Sequence, residues 1–188
     1  MFYYDYEDYQ LTYVQGTFFA AQNAPSKVTG VQGDVAVQVT DSDTFTLTAT
    51  VQDAKILDRR LFPRNGIPAS IYNFELPNAP DLTASAGWEH AWDLSGKGSI
   101  IGRAQAYYSS AYWMVFTHDT NTRQESYTNS SASLVYEAAS DRWSAGLWVR
   151  NIEDEAFYVG ANKPAPNAAT APYLLAPRTW GASFHVAF

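Results

Sequence analysis

The chain has 188 residues, enough for one domain with a sizeable core. Aromatic residues make up 15% of it, charged residues only 16%, and the formal net charge is −7. With only 12 Lys and Arg in total, the sequence argues against a nucleic-acid partner, which needs a clustered basic surface. The absence of cysteine excludes disulfides and thiolate metal sites, and the lack of any apolar run of about 18 residues excludes a membrane-spanning helix.

Alternation of apolar and polar residues predicts strands along the chain. In "TFTLTATVQ", Phe45, Leu47 and Val51 share one face and threonines occupy the other, a period of two that no helix keeps. The segments "VQGDVAVQV", "DLTASAGWEHAW" and "RWSAGLWVR" alternate in the same way. The predicted strands cover residues 1–14, 27–40, 43–54, 81–93, 98–112, 125–138, 142–152 and 178–188.

The connections between these eight strands alternate in length. Long segments at 15–26, 55–80, 113–124 and 153–177 alternate with the short turns "DSD", "DLSGKG" and "AASD". In an up-and-down antiparallel sheet every second connection lies at the same end, and outer-membrane barrels carry short periplasmic turns and long extracellular loops. The sequence therefore predicts an all-β, antiparallel up-and-down meander of about eight strands, the architecture of outer-membrane β-barrels. A soluble β-sandwich remains the alternative.

Aromatic residues near the strand ends fit the same prediction. Outer-membrane barrels place Trp and Tyr in girdles at both membrane interfaces. The residues expected there are Tyr3, Tyr4, Trp92, Tyr112, Trp113, Trp143 and Trp180.

Several stretches in serial order resemble the last part of the barrel of TonB-dependent receptors, the outer-membrane transporters of Gram-negative bacteria. They are "LPNAPDLTASAGWEHAW", "YYSSAYW", "VRNIEDEAFY" and the terminal "APRTWGASFHVAF", and "FYYDYEDYQL" followed by "VTGVQGDVAV" is also similar to that barrel. The resemblance covers nearly the whole chain. It implies that residues 1–188 are a C-terminal barrel segment of a receptor for energy-coupled uptake of a scarce nutrient, such as an iron-siderophore complex, without catalysis or a cofactor.

The resemblance also implies partners and a signal at the C-terminus. Trp180, Phe184, Val186 and Phe188 occupy the positions of the final-strand signal read by the barrel-assembly machinery. Outer-membrane lipid and lipopolysaccharide would surround the barrel, and TonB would be reached only through an N-terminal plug region. Family members carry that plug ahead of a barrel of about 22 strands. This sequence has neither a plug nor a signal peptide, so a truncated gene product is expected.

Two alternatives to this interpretation stay open. One is a self-contained eight-stranded outer-membrane barrel, a size that such barrels adopt. The other is a soluble all-β binding module, whose apolar faces would meet in a common interior. That interior would contain Phe45, Leu47, Trp88, Leu147 and Phe184.

The longest predicted loop holds the candidates for contact with a substrate. Arg59, Arg60 and Arg64 in "RRLFPRN" present forked guanidinium donors that suit an anionic ligand or the phosphates of lipopolysaccharide. A solvated, structureless loop is the competing interpretation.

The remaining polar residues predict no catalytic or metal site. Lumen-facing side chains would tune a pore or pair with one another, and these are Glu89, Arg103, Gln105 and Arg150. The acids at 153–155 are expected to form a solvated rim. The histidines at 90, 118 and 185 lack the spacing of a metal site.

Overall fold

The computed structural model describes residues 1–187 except 16, 17, 65, 66, 141 and 163–170. The described strands are β1 (Phe2–Gln15), β2 (Phe18–Gln38), β3 (Asp43–Ile56), β4 (Leu61–Arg64), β5 (Ile67–Ser70), β6 (Leu82–Asp93), β7 (Ser99–Ser109), β8 (Tyr112–Trp113), β9 (Arg123–Gln124), β10 (Tyr127–Glu137), β11 (Trp143–Arg150), β12 (Tyr158–Asn162), β13 (Ala171–Leu174) and β14 (Thr179–Val186). A short 3₁₀ turn spans Thr120–Thr122. In this part of the chain no helix is long and apolar enough to cross a membrane.

Eight of these strands form one antiparallel meander in the order β1-β2-β3-β6-β7-β10-β11-β14. The other six pair as small hairpins, β4 with β5, β8 with β9 and β12 with β13, inside the long connections. The predicted fold class is therefore confirmed. Among the described residues the first and last strands do not pair, so the sheet is open and is not a closed eight-stranded barrel.

The two faces of the sheet differ sharply in polarity. One face, called here the outer face, exposes large apolar side chains, including Phe45 (46% exposed), Leu47 (50%), Leu147 (63%) and Phe184 (69%). No second sheet covers them in the described chain, so the soluble module with a common apolar interior is wrong. An apolar face that stays uncovered within the protein suits a lipid environment.

Hydrogen-bonded neighbours on the outer face form rows that cross the sheet obliquely. One row runs through Phe45, Trp88, Ala104, Ala132, Val149 and Trp180. Phe45 lies near the start of β3, next to a short turn, whereas Trp180 lies near the start of β14, after a long connection. The strands are therefore staggered along the sheet, as the strand tilt of barrels requires.

The first connection differs from its prediction. A long loop was expected over residues 15–26, but β2 begins at Phe18 and pairs with β1 from Gln15↔Phe18 onward, with a register shift between Tyr6 and Tyr9. β1 and β2 extend into the predicted loop because this part of their hairpin packs against an apolar surface. Leu11 and Ala24 are buried there.

Leu11 and Ala24 belong to the main buried cluster. This cluster lies on the inner face, opposite the outer face, at the end of the sheet that carries the long connections, called here the long-loop end. Its members are Leu11, Ala24, Ala54, Ile56, Phe62, Ile71, Leu76 and Phe116. The connection at 57–81 thus folds onto the inner face of β1–β3 and meets the connection at 110–126. The described parts of these two segments are called the loop cap below. The interpretation of residues 55–80 as structureless is wrong, because four large apolar side chains in that segment are buried in this cluster.

Backbone bonds and stacked rings hold the loop cap in place. The Ile56 amide donates to the Phe74 carbonyl (2.8 Å), and the Leu76 amide donates to that of Ala54 (2.9 Å). The His118 ring is stacked between Phe74 (4.3 Å) and Trp113 (4.6 Å). Trp113 therefore lies in the loop cap, and the prediction that it belongs to a membrane girdle is wrong.

The other aromatic residues divide between the two faces. Trp92, Trp143 and Trp180 are exposed on the outer face, where girdle residues are expected. Tyr4 lies instead on the inner face, in a ladder with Phe2 (5.7 Å between ring centroids) and Tyr6 (6.1 Å).

Candidate functional site

The inner face of the sheet carries the polar residues that could meet a ligand. Small or polar side chains alternate with the apolar ones of the outer face, and direct pairing aligns them across six neighbouring strands. One such row consists of Thr46, Gly87, Gln105, Ser131, Arg150 and Thr179. The strand register alone therefore produces a polar wall without any loop contribution.

Four residues predicted to face the lumen lie together on this wall. Glu89, Arg103, Gln105 and Arg150 line one open concavity of about 470 Å³, together with Trp148 and polar residues of β3 and β10. The Arg103 guanidinium donates through Nε to a carboxylate oxygen of Glu89. Both side chains of this pair are about half exposed, so it contributes little to stability and mainly cancels charge.

Arg150 is placed by a residue that the sequence interpretation did not single out. Its guanidinium lies 5.2 Å from the centre of the Trp148 ring, on the same face of β11. The Trp148 ring in turn covers Gly181 of β14, where a Cβ atom would approach the ring to 2.6 Å. The signal was present in the sequence, because Trp148 and Arg150 stand two apart in an alternating strand, and glycine is the residue that lets a neighbouring ring lie flat.

Replacing Gly181 by alanine is expected to displace the Trp148 ring and to destabilise the sheet by about 1–3 kcal/mol. The added methyl group cannot fit between the β14 backbone and the ring. Gly33→Ala in β2 is the matched control, because a Cβ atom there meets nothing within 4 Å. Urea unfolding of both variants in lipid vesicles measures the difference, and equal midpoints would contradict the packing described.

The loop arginines have different surroundings. Arg60 binds the buried Asp58 carboxylate through Nε and Nη2, and it also donates to the Asn23 carbonyl of β2. Arg59 lies over the Tyr72 ring (4.2 Å) and donates to its hydroxyl group. The backbone of Arg64 ends β4, and its side chain lies outside the described part of the chain. Arg60 thus fastens the loop cap to the sheet, and Arg59 remains exposed.

The Asp58–Arg60 pair predicts an acid-sensitive loop cap. The Arg60 hydrogen bonds hold the pKa of Asp58 below its ordinary 3.8, so the stabilisation is complete above that value and is lost as the pH falls below it. Burial and the nearby Asp81 carboxylate raise the pKa of Glu75 above 4.5. Protonation of Glu75 as the pH falls therefore stabilises the loop cap, and it does so at a higher pH than the loss caused by Asp58. Hydrogen exchange of the 58–61 amides between about pH 6 and about pH 3 measures both effects, after correction for intrinsic rates.

Two variants separate these contributions. Arg60→Gln should remove the loss of protection at the acid end, and Glu75→Gln should remove the gain that appears at pH values above the ordinary glutamate pKa. Arg59→Gln is the control, because the Arg59 guanidinium is bonded to the Tyr72 hydroxyl group and lies over the Tyr72 ring instead of pairing with the Asp58 carboxylate. Identical pH profiles for Arg60→Gln and the wild type would show that the pair does not hold the loop cap.

The acids at 153–155 take part in a turn. The Ser130 amide donates to Glu153 (2.8 Å), and the Arg178 amide donates to Asp154 (3.0 Å). The buried Asn151 side chain donates to the Glu155 and Ala176 carbonyls. Exposed acids at this rim therefore also tie the start of β14 to the end of β11.

Two of the histidines have polar partners within hydrogen-bond distance. His90 contacts the Asp43 carboxylate (2.6 Å), which also accepts from the Trp88 indole (3.1 Å). His118 contacts the Glu75 carbonyl oxygen (3.1 Å). Among the described residues no three His, Asp or Glu side chains are grouped so that they could hold a metal ion.

The predicted assembly signal lies along one side of the last strand. Trp180, Phe184 and Val186 all project from the outer face of β14 and are exposed. Phe184 also contacts Trp143 of β11, with 5.9 Å between the ring centroids. Phe188 lies outside the described residues.

Comparison with known proteins gives the same architecture. The family described as TonB dependent receptor-like, beta-barrel, matches residues 1–152. No curated protein matches the chain significantly. Among solved structures, the ferric yersiniabactin uptake receptor FyuA from Yersinia pestis superposes with a TM-score of 0.75 at 16% identity, over 90% of this chain and 25% of that one.

Two further structures are similar in the same way. The copper transporter OprC superposes with a TM-score of 0.68 at 14% identity, over 97% of this chain and 27% of the other. The pyoverdine outer membrane receptor FpvA from Pseudomonas aeruginosa gives 0.62 at 15%, over 99% and 26%. The chain thus spans about a quarter of the length of these proteins, and identities this low show the fold alone. The family match, over most of the sequence, shows that the chain belongs to the TonB-dependent receptor β-barrel family.

Proposed function

We propose that this chain forms part of the wall of an outer-membrane receptor for energy-coupled uptake of a scarce nutrient such as an iron-siderophore complex. The observation that carries the proposal is the family match over residues 1–152 on an eight-stranded meander with one apolar and one polar face. The family is one of receptors and transporters rather than enzymes. Similar structures include siderophore receptors and a copper transporter, which supports a metal-linked cargo.

In this proposal the chain supplies the C-terminal strands of a wider barrel, in the outer membrane of a Gram-negative bacterium. Its span of about a quarter of the similar receptors supports that assignment. The plug and the contact with TonB would come from sequence N-terminal to these strands. The exposed residues Trp180, Phe184 and Val186 would serve as the signal for the barrel-assembly machinery, with outer-membrane lipid covering the same face afterwards.

Deletion of the gene in its bacterial host tests the uptake proposal. Under iron limitation the deletion strain should grow poorly on the cognate ferric siderophore, and the wild-type gene should restore growth only when TonB is present. Fractionation should find the protein in the outer membrane. Normal uptake by the deletion strain across a panel of siderophores and copper complexes, or recovery of the protein in the soluble fraction, would refute the proposal.

A further inference from the structure

Arg150 lies where two concavities of the inner face meet. The first is the concavity of about 470 Å³ described above, and the second, of about 390 Å³, extends from it toward the long-loop end along residues 175–177. Gln105, Ser131 and Arg150 line both. These three residues are direct neighbours in the register of β7, β10 and β11. A guanidinium, an amide and a hydroxyl group therefore stand side by side on the wall.

The charge of Arg150 is not cancelled within the described chain. Arg60 pairs with Asp58, Arg103 with Glu89 and Arg123 with Glu125. In the described residues no carboxylate lies within ion-pair distance of Arg150, and its guanidinium lies over the Trp148 ring. With the Arg103–Glu89 pair neutral, Arg150 leaves the two concavities with a net positive charge, although the whole chain carries −7.

The side chain is also held in position before any ligand arrives. The Trp148 ring supports the guanidinium by a cation–π contact, and the ring is itself seated over Gly181. A planar guanidinium with a supported face keeps its N–H edge available for two parallel hydrogen bonds to one oxyanion. The lysine ammonium group lacks that geometry.

We propose that Arg150, with Gln105 and Ser131 beside it, forms a subsite for an oxyanion, carboxylate or phosphate, of a small-molecule ligand. The assignment of that ligand as transported cargo rests on the proposed uptake function. The binding chemistry rests on the geometry alone. A small molecule is favoured because the three residues line a concave wall at the junction of two open concavities.

Arginine footprinting tests the subsite on the protein in outer-membrane fractions of its host. Phenylglyoxal should modify Arg150 faster than Arg103, whose guanidinium is paired with Glu89. Citrate or inorganic phosphate should slow the modification of Arg150 by about tenfold when present at about ten times its dissociation constant. The neutral sugar maltose should not slow it, and mass spectrometry quantifies each arginine separately. Protection by citrate alone or by phosphate alone identifies which oxyanion the site takes.

Calorimetric titration of purified variants gives a second measurement. Arg150→Gln should weaken binding of the protecting anion by about ten- to a hundredfold, the range of a hydrogen bond to a charged group. Arg150→Lys should recover only part of the loss. Arg142→Gln is the control, because it removes the same charge outside both concavities.

Three results would overturn the subsite. They are no anion protection of Arg150, unchanged affinity in Arg150→Gln, and an Arg150 that resists phenylglyoxal before any anion is added, which would mean that a protein group already covers it. If the protein resides in the outer membrane and supports uptake while one of these results is found, only the oxyanion subsite fails. Absence of the protein from the outer membrane would refute the uptake proposal, whatever Arg150 binds.

Discussion

Replacing Phe62 by alanine is expected to release the loop cap from the sheet. The Phe62 ring is fully buried and contacts Phe116 edge to face, with 5.9 Å between ring centroids. Removing a buried phenylalanine ring costs about 3–5 kcal/mol. That is a large share of the stability that a segment of this size can have, so the segment should open while the sheet stays folded.

Hydrogen exchange on the protein in outer-membrane fractions measures this release. Amides of 57–64 and 110–119 should lose protection in Phe62→Ala, and amides of β7 and β10 should keep theirs. Leu61→Ala is the matched control, because the neighbouring Leu61 is 64% exposed and should change little. Unchanged protection in Phe62→Ala would mean that this core does not hold the loop cap.

Introducing arginine at Leu147 is expected to impair membrane insertion. Leu147 lies on the outer face about halfway along β11, directly opposite Leu134 of β10. An arginine on the lipid side near the bilayer midplane costs about 2–4 kcal/mol. The yield of heat-modifiable protein should therefore fall.

Ser133→Arg provides the opposite-face comparison. Ser133 neighbours Leu134 in sequence and pairs with Trp148, so it points to the inner face at a similar depth. Urea unfolding in vesicles should show a much smaller loss for this variant. A larger loss for Ser133→Arg than for Leu147→Arg would show that the faces are assigned in reverse.

The sheet was predictable from sequence because its two faces differ in polarity. The alternation of Phe45, Leu47 and Val51 with threonines predicts both that this segment is a strand and which of its residues share a face. The alternating lengths of the connections predict that the strands form a meander. The faces of β1 were not predictable, because Tyr3 and Tyr4 are both aromatic although they point to opposite sides. Only the Phe2, Tyr4 and Tyr6 ladder in the structure distinguishes them.

The loop cap was not predicted, although one local signal was available. Asn65 and Gly66 stand between the sequences of β4 and β5, and Asn-Gly between two short apolar-containing segments is the strongest short-range hairpin signal. The apolar residues Phe62, Ile71 and Leu76 are separated by polar and proline residues, so no periodicity marks them as a core. Their burial depends on contacts with Phe116, which no local pattern encodes.

The candidate site was predicted in part. The sequence placed Glu89, Arg103, Gln105 and Arg150 on one face, which the register confirms. Which arginine is paired and which is free could not be predicted, because pairing depends on the relative register of β6, β7 and β11. The packing of the Trp148 ring on Gly181 could not be predicted either, because Gly181 lies on the neighbouring strand β14.

The stagger of the strands has a consequence for movement along the inner wall. From Thr46 to Thr179 the polar row makes five strand-to-strand steps of about 4.8 Å each. Barrel strands tilt by about 40° from the barrel axis, so a row at right angles to them climbs about 15 Å along the membrane normal. A ligand passed from one side chain of the row to the next would therefore cross more than half of an apolar band about 25 Å tall while circling the wall. Its path would be helical rather than parallel to the barrel axis.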